Sequence, residues 1–201
     1  MKGLFSRRNA RILAVMLIML GIASAYWLSR GQKAMTVNLP AMQQSAERDS
    51  LSVTAQATED MRTLKGDMHL TMTNRTGEDW TELVFRLYAN GIREGSMVVS
   101  GVTIDGNAVS FATDADDSSV LRVQHALKSG DMADISLHFA LTIPRGESEV
   151  ARTDDSALLI GALPMPAMWE NGAWRTDAYD ALAETSYAQP VDIQMALTVP
   201  E

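Results

Sequence analysis

From Leu51 onward the chain alternates apolar and polar residues in short runs, and a period of two admits little besides β-sheet with one buried face. Met68, Leu70 and Met72 alternate with His69, Thr71 and Thr73. Leu83, Phe85, Leu87 and Ala89 alternate with Val84, Arg86 and Tyr88. The turn chemistry of 74–79 lies between these runs, with Gly77 available for a positive φ, and together they predict two strands joined as a hairpin. Asp105-Gly106-Asn107, set between Val102, Ile104 and Val109, Phe111, predicts a tight hairpin. Residues 120–124 read as a short strand and Lys128-Ser129-Gly130-Asp131 as a turn. Ile135, Leu137, Phe139 and Leu141 alternate with polar or small residues until Pro144 breaks the ladder. An apolar run at 158–163 and a last alternating strand, Val191, Ile193, Met195, Leu197 and Val199, complete the pattern. No part of 51–201 sustains the 3.6 period of a helix, so the expectation is mainly β, an antiparallel β-sandwich or open curved sheets.

The first 33 residues are of another kind. Lys2, Arg7, Arg8 and Arg11 precede an uninterrupted apolar run, 12–28, closed by Arg30 and Lys33, and no acid occurs before Glu47. A signal anchor needs about 17–25 apolar residues, which this run just reaches. Tyr26 and Trp27 stand where an interfacial aromatic belt lies. The alternative is a cleaved signal peptide, with Ala23-Ser24-Ala25 as the small-x-small site and cleavage near Ala25. The first reading gives one amino-terminal hydrophobic helix holding a single-pass protein in the cell membrane through residues 12–28; the second gives a secreted one. Both put the rest outside the cytoplasm, because the basic flank stays inside. Residues 34–50, with Pro40, Gln43, Gln44 and Ser45, read as a linker.

Charge and cysteine usage exclude several functions. Without the six basic residues of 1–33, 11 Lys and Arg face 25 Asp and Glu, a formal charge of −14. Nucleic-acid binding depends on clustered Lys and Arg that neutralise phosphates, so no nucleic-acid partner is expected. The chain has no Cys. An extracytoplasmic protein without disulfides must draw its stability from a packed core, which fits a bacterial cell envelope. Asn74-Arg75-Thr76 matches the glycosylation sequon but reads as a turn.

Three stretches carry a family resemblance. Residues 63–74, Thr-Leu-Lys-Gly-Asp-Met-His-Leu-Thr-Met-Thr-Asn, are similar to a strand with a Leu-x-Gly entry and a Thr-Asn end. Residues 82–90, Glu-Leu-Val-Phe-Arg-Leu-Tyr-Ala-Asn, resemble a Leu-x-Phe-x-Leu-Tyr-x-Asn strand. Residues 161–200 supply a Gly and Pro, a Gly-x-Trp at Gly172–Trp174 and a closing strand ending Val199-Pro200. Together, over about 150 residues, they resemble the amino-terminal β domain of M1-family (gluzincin, aminopeptidase N-like) zinc metallopeptidases. The match departs at Gly161-Ala162-Leu163-Pro164, where many relatives have an Asn-Trp-Phe-Pro-like sequence. Met168-Trp169-Glu170-Asn171 departs from the Gly-x-Met-Glu-Asn exopeptidase signature by its intervening Trp, and reads as a loop whose Trp169 and Trp174 pack on the sheet.

The resemblance implies a saddle-like, mainly antiparallel domain that covers one side of a catalytic cleft, here spanning 51–201, and further strands in the family beyond position 199. It implies peptide hydrolysis only with a catalytic domain that brings H-E-x-x-H, two His one helical turn apart with a Glu general base. The three histidines, His69, His125 and His138, are followed by Leu70, Ala126 and Phe139, and no two are four apart. Asp116-Asp117 and Asp154-Asp155 are adjacent pairs in polar, turn-like segments, and adjacent residues of an extended chain face opposite ways. The expectation is no catalytic, cofactor-binding or metal-binding residue in this chain, hence no enzyme activity and no cofactor. Its partners would be the membrane and a peptidase catalytic domain or another envelope protein. A stand-alone envelope protein-binding module is the alternative. The strand 191–199 is expected to bury Val191, Ile193, Met195, Leu197 and Val199 and to leave a poorly protected sheet edge.

Overall fold

Most of the alternating runs form sheet. The computed structural model describes residues 35–38, 48–146, 148–154, 156–180 and 188–200; the apolar run 12–28 and its expected helix lie outside them. In chain order the elements are β1 (Met35–Asn38), β2 (Asp49–Ala57), β3 (Thr63–Thr73), β4 (Leu83–Arg86) and a five-residue helix α1 (Tyr88–Ile92). There follow β5 (Met97–Ile104), β6 (Asn107–Ala108), β7 (Phe111–Thr113), β8 (Val120–Val123) and β9 (Met132–Thr142). The last are β10 (Val150–Arg152), β11 (Ala157–Leu159), β12 (Met165–Pro166), β13 (Trp169–Glu170), β14 (Ala173–Trp174) and β15 (Val191–Val199). A seven-stranded sheet runs β1-β15-β2-β3-β9-β5-β6, a four-stranded sheet runs β12-β4-β8-β7, and β10-β11 and β13-β14 are separate two-stranded pieces.

The two main sheets share one apolar core. From the larger come Leu51, Val53, Leu64, Met68, Leu70, Met72, Met97, Ile104, Ile135, Leu137 and Leu141; from the smaller come Leu83, Phe85, Leu121 and Val123. Every second residue of β2, β3 and β9 points inward and its neighbours face solvent. Two sheets meeting over alternating inward residues make a sandwich.

Several connections differ from the sequence reading. β3 and β4 are not a hairpin: β3 pairs with β2 and β9, while β4 pairs with β8 and β12. The reason lies in β4 itself, whose four residues are all buried. Leu83 and Phe85 face the shared core, while Val84 packs with Val120 and Ala167 on the other side. A strand buried on both faces cannot sit in a layer with one wet face, so the chain crosses between layers after Thr73. The crossing is fixed by a reciprocal pair of 2.9 Å backbone hydrogen bonds between Trp80 and Leu127. The alternation also stops earlier than expected, because Tyr88, Ala89 and Asn90 are buried in succession as α1.

The Asp105-Gly106 hairpin forms as expected: Ile104 pairs with Asn107, and the two turn residues have φ of 50° and 78°. Both angles positive is the type I′ turn, which matches strand twist and favours Asp-Gly. Phe111, however, belongs to the other sheet as part of β7.

At the carboxy end, β15 is interior. It lies between β1 and β2, parallel to β2 from Val191↔Asp49 to Thr198↔Gln56. It is therefore not the expected sheet edge, and its parallel pairing with β2 contrasts with the antiparallel β2–β3, β3–β9 and β5–β9 pairings. Val191, Met195, Leu197 and Val199 pack against the core, but Ile193 is 42% exposed. Of the stretch 34–50 read as linker, 35–38 is strand and Asp49 and Ser50 already belong to β2.

Candidate functional site

Histidine and carboxylate chemistry gathers on the solvent face of the seven-stranded sheet. Antiparallel register sets the side chains in rows across β2, β3, β9 and β5. One row reads Thr54, Asp67, His138, Ser100, the next Ser52, His69, Ser136, Thr103, and a third Ser50, Thr71, Asp134. His138 Nδ1 pairs with the Asp67 carboxylate. A bulge in β5 between Ser100 and Thr103 makes room for this ring, since Gly101 there has φ of 63° and a Cβ on it would come within 2.7 Å of His138 Cδ2.

His69 Nδ1 lies 3.0 Å from Ser136 Oγ, and its Nε2 lies 3.9 Å from Asp134 Oδ1. A serine, a histidine and an aspartate in line invite comparison with a nucleophilic triad, but the geometry lacks two parts. The 3.9 Å gap is beyond hydrogen-bond range, and Asp134 Oδ1 already accepts from Thr71 Oγ1 at 2.8 Å. The amides of β2, β3 and β9 about His69 belong to the strand ladder and are not aimed where an oxyanion would develop. His69 and Asp134 side chains are also half exposed, at 54% and 50%, in water that weakens every electrostatic contribution. This face offers hydrogen bonds to a polar surface.

The third histidine, His125, follows β8 and is half-buried, its backbone N–H donating to Val123 O at 3.0 Å. All three histidines thus sit on or beside strands, and none shares a helical turn with another. Among the described residues no group of three or more His, Asp or Glu is placed to hold a metal ion. No helix among them is long and apolar enough to cross a membrane. Asp116 and Asp117 lie in the β7–β8 connection, where Asp117 Oδ1 accepts from the Ser119 amide at 2.9 Å and its hydroxyl at 2.6 Å; Asp154 pairs with Arg145 on an exposed loop. Asp155 lies outside the described residues.

The residues that matter most are those at the motif positions, and each has an architectural task. Gly66, of the Leu-x-Gly entry, seats the Phe139 ring: a Cβ would meet Cε1 and Cζ at 2.5 Å. Asn74, of the Thr-Asn end, is fully buried; its Nδ2 donates to Glu78 O and Leu127 O, and its Oδ1 accepts from the Thr76 amide and hydroxyl. That Asx-turn makes the sequon a structural corner. Asn90, of the Leu-Tyr-x-Asn end, donates to Met97 O and Ser118 O and accepts from the Met97 amide.

Arg86 was unremarkable in the sequence and is the most unusual residue in the fold. It is 1% exposed; Nη2 donates to Ser119 Oγ at 3.1 Å and Asp177 O at 2.7 Å, while Nε and Nη1 have no partner. Its guanidinium lies 5.2 Å from the Tyr88 ring centroid, a distance at which a cation gains from the aromatic face. Asp177 belongs to a strap, 175–180, laid over this side of the small sheet. The hydrogen bond from Arg175 holds the Asp177 carboxyl below its usual range, helped by the charges of Arg175 and Arg86. Burial, followed by the charges of Glu149 and Asp180, pushes the Tyr179 phenol up. No periodicity announces such a residue, because Arg86 occupies an ordinary outward position in an alternating run.

Trp169 and Trp174 do pack on the sheet, as expected. They form a trio with Trp80 at centroid separations of 4.6 to 5.9 Å, and the Trp174 indole donates to Glu82 O at 3.1 Å. Glu170, within the peptidase-like Met168–Asn171 stretch, is exposed and pairs with Arg175 at 3.4 Å.

No family model matches the sequence, and no curated protein matches it either. Solved structures similar to it are M1 zinc metallopeptidases. One from Deinococcus radiodurans is 20% identical with a TM-score of 0.41, over 76% of this chain and 31% of that one. A mutant of the enzyme from that organism, bound to a Tyr-Ser-Ala substrate, is 18% identical with a TM-score of 0.43, over 78% of this chain and 34% of that one. Yeast LTA4 hydrolase in complex with bestatin is 13% identical with a TM-score of 0.31, over 51% and 16%. The chain thus spans about a third or less of the length of these proteins.

Proposed function

We propose that this chain is the non-catalytic amino-terminal β portion of a membrane-anchored, bacterial M1-like zinc metallopeptidase, peptide hydrolysis being the work of a catalytic domain that carries H-E-x-x-H. The observation that carries the reading is the use made of the motif residues: Gly66, Asn74 and Asn90 are consumed in building the sandwich. A positive sign agrees with it, since His69 and His138 pair with Ser136 and Asp67 on an open sheet face and not with each other. The basic flank and apolar run 12–28 support an anchor, with the acidic remainder outside the cytoplasm.

The test uses the full chain purified in detergent. It should hydrolyse no aminoacyl substrate and retain no stoichiometric zinc after dialysis. One tightly held zinc per chain, or turnover abolished by a chelator, overturns the non-catalytic assignment. Intact mass of the membrane-bound species reads the anchor: a form beginning at Tyr26 replaces the anchor with a cleaved signal peptide.

A second reading, a stand-alone envelope module that binds a protein, rests on the uncovered polar rows of the large sheet. Pull-down of one envelope protein that is lost on Asp67→Lys and His69→Glu would favour it.

A further inference from the structure

We propose that Asn171-Gly172 is a site of spontaneous covalent modification, deamidation through a succinimide, and that the fold selects it over the chemically equivalent Asn90-Gly91. Both dipeptides join an asparagine to a glycine, whose missing side chain leaves its amide nitrogen unhindered. Their surroundings are opposite.

Asn171 and Gly172 form the two-residue turn between β13 and β14, with φ of 54° and 78°. Both are exposed. A two-residue hairpin turn leaves its central amides outside the ladder. The ladder beneath is only two residue pairs, Trp169↔Trp174 and Glu170↔Ala173. The tryptophan trio holds the base of this hairpin, but its exposed tip can flex with that pairing kept, and such flexing lets the Gly172 nitrogen reach the Asn171 side chain.

Asn90 has 6% exposure, its amide donates to two carbonyls, and its Oδ1 accepts the Met97 amide. Gly91 beside it lies under Tyr179, where a Cβ would meet the Tyr179 Cβ at 2.5 Å. Reaction at Asn90 therefore waits on loss of the core.

The chemistry needs only water. The Gly172 nitrogen gives up its proton and attacks Asn171 Cγ; the Cγ–Nδ2 bond breaks and Nδ2 leaves as ammonia. Water then opens the succinimide at either carbonyl, giving Asp or isoaspartate at 171. Each product adds a negative charge beside Glu170, and near Glu78, whose Oε2 is 3.7 Å from where a Gly172 Cβ would stand. Isoaspartate also adds a methylene to a two-residue turn and so disturbs the Trp169↔Trp174 register, under which Trp80 lies.

The experiment incubates the full chain at mildly alkaline pH, native and in denaturant, with peptide mass mapping and an isoaspartyl methyl-acceptor assay. In denaturant the two asparagines should convert at similar rates; in the native chain Asn171 should convert more than ~tenfold faster than Asn90, because only the second reaction requires unfolding. Tryptophan emission should drift with conversion. Asn171→Gly, which keeps a turn tolerant of positive φ, should remove the isoaspartyl signal that maps to position 171 and the drift. Equal native rates, faster conversion at Asn90, or no native conversion at either site overturns the proposal.

Discussion

Asn90 grips Met97 as a second strand would. Its Nδ2 donates to Met97 O at 2.9 Å while its Oδ1 accepts from Met97 N at 2.6 Å, so one side chain completes both backbone hydrogen bonds where β5 begins. The amide's other proton goes to Ser118 O at 3.0 Å, tying the approach to β8 into the same knot. The bracket joins α1 to elements of both main sheets.

Asn90→Ala should therefore cost about 3 kcal/mol, since buried backbone groups at Met97 and Ser118 lose partners at about 1–3 kcal/mol each and part is recovered through water. Asn90→Asp should also be destabilising, because a carboxylate cannot donate to the two carbonyls. Urea denaturation of the three proteins checks this; an Asn90→Ala variant within about 0.5 kcal/mol of the parent would show that the bracket is incidental.

Gly66 and Phe139 form a lock of a different kind. The ring occupies the space that a side chain at 66 would need, with approaches of 2.5 Å to Cε1 and Cζ. Gly66→Ala should destabilise by about 1–3 kcal/mol through overpacking. In the background of Phe139→Leu, the same substitution should cost much less. The coupling in that double-mutant cycle is the measurement; additive effects would deny the contact.

The sheet was legible in the sequence where one face is wet. β2, β3 and β9 alternate faithfully, and Asp105-Gly106 announces its own turn geometry. It was not legible where both faces are dry. Val84 and Arg86 stand where a solvated strand puts outward residues, yet the cover over the small sheet buries both, so the period of two gave the right secondary structure and the wrong layer. β15 was misplaced because alternation says which residues face inward but not which neighbour a strand takes. As for the site, the motif asparagines were visible as letters and the Asn74–Thr76 turn as a local signal; the bonds to Leu127, Met97 and Ser118 span 53, 7 and 28 positions and have no local pattern.

Arg86 is a buried cation to which no carboxylate is bonded among the described residues, and its Nε and Nη1 are unpartnered there. Such a charge costs several kcal/mol to bury, and an apolar side chain of similar volume often does better. Arg86→Met should leave stability unchanged or raise it by about 1–2 kcal/mol. Arg86→Lys keeps the charge and loses the planar reach to Ser119 and Asp177, and should cost about 1–3 kcal/mol. Thermal unfolding of both variants decides; if Arg86→Met is the more damaging, the guanidinium holds the strap more firmly than its unmet valences suggest.

The strap itself should respond to pH at both ends of the scale. Tyr179 is seated against Gly91, and its phenol is raised above 10.0, first by burial and then by Glu149 and Asp180. A raised folded value favours the neutral phenol, so this contribution is whole below pH 10 and is lost as pH climbs through the folded value. Asp177 is the reverse case: lowered below 3.8 by Arg175, it contributes above that pH and its contribution goes as pH falls through the folded value. Alkaline difference absorbance should show a late tyrosinate transition that is absent in Tyr179→Phe and is accompanied by a change in tryptophan emission. Asp177→Asn should flatten the loss of stability below 3.8, because the variant lacks this contribution at neutral pH as well. A Tyr179→Phe protein that keeps both the late transition and the emission change would mean that the strap's seat on Gly91 is not what titrates.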